Sequence, residues 1–195
     1  GLLTAKAGSG VFVADVLGSA FSPALVQLFA THDEAVFDYL SFRRDMEGLA
    51  AERAARLGSD YDLKVIDAIF RKMAGAGSPV ESEAAAKLDA QFHSAILDAS
   101  HNVVMLHTLR SCYRLLENGV FYNRGRLYHH PSARIELLQQ HKAIADAIQT
   151  GDADRARQAS ENHIDYVRGT LAETKDLDRR EQLAGLRRTR KPARA

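Results

Sequence analysis

The stretch KLDAQFHSAILDAS, residues 87 to 100, constrains the fold more than any other part of this chain. Placed on a helix at about 100° per residue, it belongs to an apolar stripe of Ala85, Leu88, Phe92, Ile96 and Ala99. Asp89 and His93 stand one turn apart at the edge of that stripe, with Leu97 on their other side. A carboxylate and an imidazole are therefore aimed at a core rather than at water. Each must find a hydrogen bond or a cation there, because an unpartnered buried polar group is costly.

Helical signals run through the rest of the chain from about residue 22. Ser22 before Pro23 reads as the N-cap of a short helix through ALVQLFA. Asp33 could cap the next helix, which stops at Gly58, and Asp60 could cap YDLKVIDAIFRKM, which ends in AGAG. The helix holding Asp89 and His93 follows and runs to about Ser100. Another covers VVMLHTLRSCYRLLENGVFYNR, and a turn at His129, His130 and Pro131 starts SARIELLQQHKAIADAIQT. Asp152 caps a last long helix through ADRARQASENHIDYVRGTLAE. The connections are short, so the expectation is an all-α antiparallel bundle of about six to seven helices, with sequential helices as neighbours. Strand signals are confined to the start, where GLLTAKAGSGVFVA reads as a small β-hairpin around Gly8-Ser9-Gly10. Such a hairpin is marginal by itself and should belong to a larger unit.

Bulk properties narrow the classes. The 195 residues are 46% hydrophobic, enough for one sizeable core. The net charge is only +1, but residues 178 to 195 hold seven basic residues against two acids. A tail of +5 within a total of +1 leaves −4 on the remainder, so the body is no nucleic-acid footprint. The tail itself reads as a frayed helix running into disorder. A single cysteine, Cys112, lies in an apolar run and reads as core rather than nucleophile, and it suits a reducing compartment. No apolar run reaches about 18 residues, and Asp15 interrupts the only segment resembling a signal peptide, so the expected location is cytoplasmic.

Two more histidines face inward. His141 sits among Leu137, Leu138, Ile144, Ala145 and Ile148, all within about 60° of it on the helix. His163 shares a side with Ala156, Ala159, Tyr166 and Val167. Three imidazoles and one carboxylate on three helices either satisfy one another in the core or hold a cation. The set is borderline-hard and suits Zn, Ni, Mn or Fe.

The chain resembles the C-terminal effector-binding domain, the FCD domain, of FadR-subfamily GntR transcription regulators. The resemblance rests on FRRDMEGLAAERAARL, on LDAQFHSAILDASHN and on QQHKAIADAIQTGDADRARQASENH. It implies an FCD domain over residues 34–175, preceded by a linker and short helix at 16–33 and followed by a basic tail at 176–195. In the metal-binding branch of that family an Asp and three His hold a divalent cation, and they correspond to Asp89, His93, His141 and His163. The first 15 residues resemble the wing hairpin of a winged helix-turn-helix, with a Gly-x-Gly-x-Phe-Val signature at Gly8, Gly10, Phe12 and Val13. The resemblance implies that the recognition helix that would read operator DNA stands upstream of this sequence.

The same resemblance implies a divalent transition metal, zinc first, and a small carboxylate effector such as a hydroxy acid or sugar acid. It also implies a homodimer whose DNA-reading heads respond to effector binding. Arg43, which matches the Arg of an R-x-x-x-E motif with Glu47, is the first effector contact, although it also reads as an ordinary intrahelical pair. Arg114, Asn118 and Asn162 are further effector candidates, each equally readable as a solvated side chain. The competing class is a metalloenzyme, since a metal with an open position also serves hydrolysis. Against it stand the absence of HExxH and of any further inward carboxylate to serve as general base, so the expectation is a sensor and not an enzyme. A purely structural metal is a third reading.

Overall fold

The computed structural model describes residues 3–6, 10–13, 31–75, 82–117 and 131–189. Two strands, β1 (Leu3–Lys6) and β2 (Gly10–Val13), pair antiparallel with Leu3 opposite Val13 and Lys6 opposite Gly10, the hairpin expected at the start. Every other described element is a helix: α1 (Asp33–Leu57), α2 (Asp60–Gly75), α3 (Ser82–Ala99), α4 (Val103–Glu117), α5 (Pro131–Gln149) and α6 (Ala153–Thr189). The short helix expected through ALVQLFA lies outside the described residues, as does the continuation of α4 beyond Glu117.

Local chemistry explains the helix ends. Asp33 is not the cap of α1; His32 holds that position with extended backbone and makes no side-chain cap bond. Asp60 does not cap α2 either. The Ser59 hydroxyl accepts the Asp62 N–H, while the Asp62 carboxylate accepts from Ser59 N (2.9 Å) and Oγ (2.6 Å), a reciprocal capping box. Asp152 does cap α6, accepting the Arg155 N–H at 3.1 Å. Gly151, just before it, has φ +70°, a conformation that glycine adopts without strain. α6 runs unbroken to Thr189, into the segment from Arg179 that reads as a frayed helix; the residues beyond lie outside those described.

Neighbourhood in the bundle departs from chain order. α3 packs on α2 and α4, and α6 on α5, as short connections require. The most extensive contact, however, joins α1 to α6, and α1 also meets α3, α4 and α5. The sequence of α1 permits this close approach: Ala50, Ala51 and Ala54 are fully buried, and the space over Gly48 is filled by the Glu161 side chain of α6. The main core holds Ile66, Phe92, Leu97, Leu109, Ile144 and Ile148. A smaller cluster, with Val36, Leu40, Cys112 and Ile164, lies beside it. No described helix is long and apolar enough to cross a membrane.

Candidate metal centre

Asp89 and His93 of α3, His141 of α5 and His163 of α6 converge inside the bundle, each between 1% and 4% exposed. One ligand atom from each lies within 4.8 Å of the others. His141 Nε2 stands 3.2 Å from Asp89 Oδ1 and 3.4 Å from His93 Nε2, and His93 Nε2 is 3.8 Å from the same carboxylate oxygen. The rings of His141 and His163 are 4.5 Å apart between centroids, and Phe92 closes one side with its ring 5.1 Å from His141. The periodic stripes read from the sequence meet at one point because α3, α5 and α6 each turn that stripe inward.

A surrounding set of groups orients the imidazoles. Glu47 Oε2 of α1 lies 2.8 Å from His93 Nδ1, and Gln140 Oε1 lies 3.0 Å from His163 Nδ1. Acceptors at both Nδ1 atoms favour protons there and leave each Nε2 as the nitrogen that can ligate. His141 differs: its Nδ1 is buried and has no hydrogen-bond partner among the described residues. Burial pushes the His141 and His163 pKa values down, opposed at both by the Asp89 carboxylate, so both rings favour the neutral, ligating form. Converging lone pairs beside a carboxylate form an acceptor-rich hole that a cation fits. Three imidazoles and one carboxylate suit a borderline divalent ion.

Arg43 and Glu47 are both buried and form an ion pair through Arg43 Nε and Glu47 Oε1. The Tyr113 hydroxyl donates to the same Oε1 at 2.6 Å, and the Arg43 guanidinium lies 5.1 Å from the Tyr113 ring centroid. Burial opposes ionisation of Glu47, but Arg43 and His93 outweigh it and hold the carboxyl well below its usual range. The Arg43 pair is thus intrahelical, as one reading had it, but it lies in the core. Glu47 corrects the expectation that no further carboxylate faces inward. Because its oxygens face Arg43, Tyr113 and His93, it orients these groups and is not poised to take a proton from a substrate.

Of the remaining candidates, Asn162 is not brought to the centre. One residue from His163 on the helix is about 100° away, and Asn162 is exposed, accepting from Gln158 Nε2 at 2.9 Å. The Arg114 side chain and the whole of Asn118 lie outside the described residues, as do His129 and His130. Glu161 points away from the centre into a network with Arg44 (3.1 Å) and Arg157 (2.8 Å) that ties α1 to α6.

Comparison with known proteins gives this arrangement a context. The profile of the FCD domain matches residues 38–166. Over 175 residues the chain is 33% identical to an Escherichia coli (strain K12) regulatory protein provisionally named for the L-lactate dehydrogenase operon, covering 88% of this chain and 66% of that protein. Over 150 residues it is 35% identical to the Glc operon transcriptional activator of the same organism, covering 75% and 59%. The chain thus spans about two thirds or less of the length of these relatives, which are named as regulators of transcription and not as enzymes. Among solved structures, Streptococcus agalactiae GntR superposes with a TM-score of 0.57 at 21% identity, covering 86% of this chain and 74% of that one, a likeness of fold.

Proposed function

The chain belongs to the FCD domain family, and from that premise we propose that it is the effector-sensing part of a ligand-responsive GntR-type transcription regulator. In this reading Asp89, His93, His141 and His163 hold a divalent transition metal, zinc first, and a small carboxylate binds beside it. A hydroxy acid fits the name of the L-lactate dehydrogenase operon regulatory relative, L-lactate being one. Operator DNA is gripped by a winged helix-turn-helix of which the β1–β2 hairpin is the wing, in a cytoplasmic homodimer whose two heads are respaced when effector binds.

One observation carries the reading: one carboxylate and three imidazoles from three helices converge in the core, with one ligand atom of each within 4.8 Å of the others. The imidazoles are neutral when they ligate, so this set gives a divalent ion one anionic ligand, Asp89. With a single anionic ligand a divalent ion keeps a net positive charge and supplies Lewis acidity toward an oxygen ligand. A monocarboxylate then restores neutrality, which favours anions over neutral ligands of similar size. Arg43, buried in its pair with Glu47, is the first proposed effector contact, with Arg114 and Asn118 as further ones.

Elemental analysis of protein purified without added metal, beside Asp89→Ala and His141→Ala, tests the metal centre. About one transition-metal ion per chain, lost in both variants, is the expected result. Absence of metal from the wild type after incubation with zinc, nickel and manganese would sink it. Calorimetric titration of L-lactate into the loaded protein tests the effector class, and equal heats with and without metal would remove the metal from effector binding.

A further inference from the structure

Contacts along α1 and α6 fix the register of the two helices. Arg56 meets Asp154 at 3.8 Å, Arg44 meets Asp165 at 2.9 Å, and the Lys175 ammonium lies 5.4 Å from the Phe37 ring centroid. Numbers fall along α1 as they rise along α6, so the helices are antiparallel, and α6 leaves the bundle at the N-terminal end of α1. This is the end at which the chain arrives from the β1–β2 hairpin. The same register puts Asp33, the first residue of α1, level with about residue 177, and α6 runs on for roughly 18 Å beyond it. Every residue from 176 to 185 whose side chain is described is exposed. Residues 179–194 hold seven basic residues against one acid. Arg179 and Arg180 make no ion pair among the described residues, and Arg187 and Arg188 follow about two turns later on the same helix.

We propose that α6 from Arg179 onward is a phosphate-binding arm for duplex DNA. The choice of DNA rests on the regulator reading above; the arm itself needs no metal. At about 100° per residue, positions 179, 180, 187 and 188 fall on the half of the helix opposite the stripe of Ile164, Val167 and Leu171 that packs into the bundle. The basic positions thus form one face, turned away from the bundle. Guanidinium groups match phosphate oxygens in pairs and remain charged throughout the physiological range. The leucines at 177, 183 and 186 fit neither the apolar stripe of a helix lying on a membrane nor a heptad seam with a second copy. A handful of phosphate contacts binds weakly by itself, but a duplex already held by a tethered DNA-reading unit presents its backbone at high effective concentration. The arm would then add affinity without adding sequence preference.

The full chain, titrated into a fluorescein-labelled duplex of arbitrary sequence and read by anisotropy between about 50 and 200 mM KCl, tests the arm. The expected result is a logarithmic salt slope of about −4 to −6, a loss of roughly 10³-fold in affinity across that range. Arg179→Gln, Arg180→Gln, Arg187→Gln and Arg188→Gln combined should remove most of the binding and reduce the slope by about 3 to 4. Thermal midpoint and zinc content should stay as in the wild type, because these positions lie outside the bundle. Lysine at the same four positions, which retains the charge, should recover much of the binding. Equal binding by the glutamine variant would overturn the arm and put the DNA affinity elsewhere, the hairpin included. Equally tight binding to phosphatidylglycerol vesicles would overturn the assignment to DNA. No duplex binding at about 50 mM salt by protein that takes up zinc and a carboxylate would remove this inference alone. Duplex binding that depends on the four arginines, in protein that takes up no zinc, would remove the metal reading and leave the arm standing.

Discussion

Glu47 Oε2 and His93 Nδ1 stand 2.8 Å apart in the core, while Oε1 of the same carboxylate receives Arg43 and the Tyr113 hydroxyl. A single side chain therefore orients a proposed metal ligand and neutralises a buried arginine. Its two tasks separate in two substitutions. Glu47→Ala strands Arg43 without a counter-ion and should cost about 3–5 kcal/mol, read as a lower urea midpoint at unchanged slope. Glu47→Gln keeps the shape and loses the charge at His93, so zinc affinity measured against a competing chelator should drop about 10–100-fold. An unchanged midpoint in Glu47→Ala would mean that the pair is solvated in solution.

Stability of the metal-free protein should fall on mild acidification. Burial lowers the His141 and His163 pKa values in the folded state, whereas the unfolded chain titrates near 6.5. Below about 6.5 the unfolded state binds more protons than the folded one, so unfolding free energy decreases as pH falls. The contribution is complete above that value and is lost progressively toward the depressed folded values. Glu47, also depressed, adds a second loss in the acid range of carboxylates. Urea midpoints at pH 8.0 and 5.5 check the first step, and equal midpoints would show that the imidazoles are not buried neutral.

Two glycines should respond to alanine with opposite signs. A Cβ on Gly48 would stand 2.7 Å from Glu161 Cγ, and that side chain is pinned by Arg44 and Arg157. Gly48→Ala should destabilise by about 1–3 kcal/mol through a forced parting of α1 and α6. Gly169, in α6, has nothing within 4 Å of its would-be Cβ, so Gly169→Ala should stabilise by about 0.5–1 kcal/mol from helix propensity. Thermal melts of the pair decide the matter: stabilisation by both would mean that α1 and α6 are further apart than the structure has them.

Cys112 is buried in the smaller core cluster, and burial pushes its thiol up to about 11. At pH 8 its thiolate fraction is about two orders of magnitude below that of an ordinary thiol, before access is considered. A chromogenic disulfide reagent should label the folded protein very slowly and the urea-unfolded chain at once. Fast labelling without denaturant would place this segment of α4 at the surface.

Much of this arrangement was legible along the chain. Asp89, His93, His141 and His163 were recognisable because each shares a helical stripe with buried apolar residues, and periodicity alone reports that. Arg43 and Glu47 carry the same signal, lying on one stripe with Val36, Leu40, Ala50 and Ala54, all of which are buried. Their spacing of four read as an ordinary intrahelical pair, and that local reading hid the stripe. Ser59 was overlooked as a cap because Asp60, an equally good capper by type, stands beside it.

The sequence by itself determined which residues are helical and which face of each helix turns inward, because apolar spacing and end-capping are properties of one segment at a time. It did not determine that α1 lies chiefly on α6, nor that Glu47 comes to rest against His93 and Tyr113. Those relations depend on how far helices slide and rotate against one another. Packing sets that choice through the fit of Gly48 to Glu161 and of the alanines of α1 to their neighbours, across more than a hundred residues of chain.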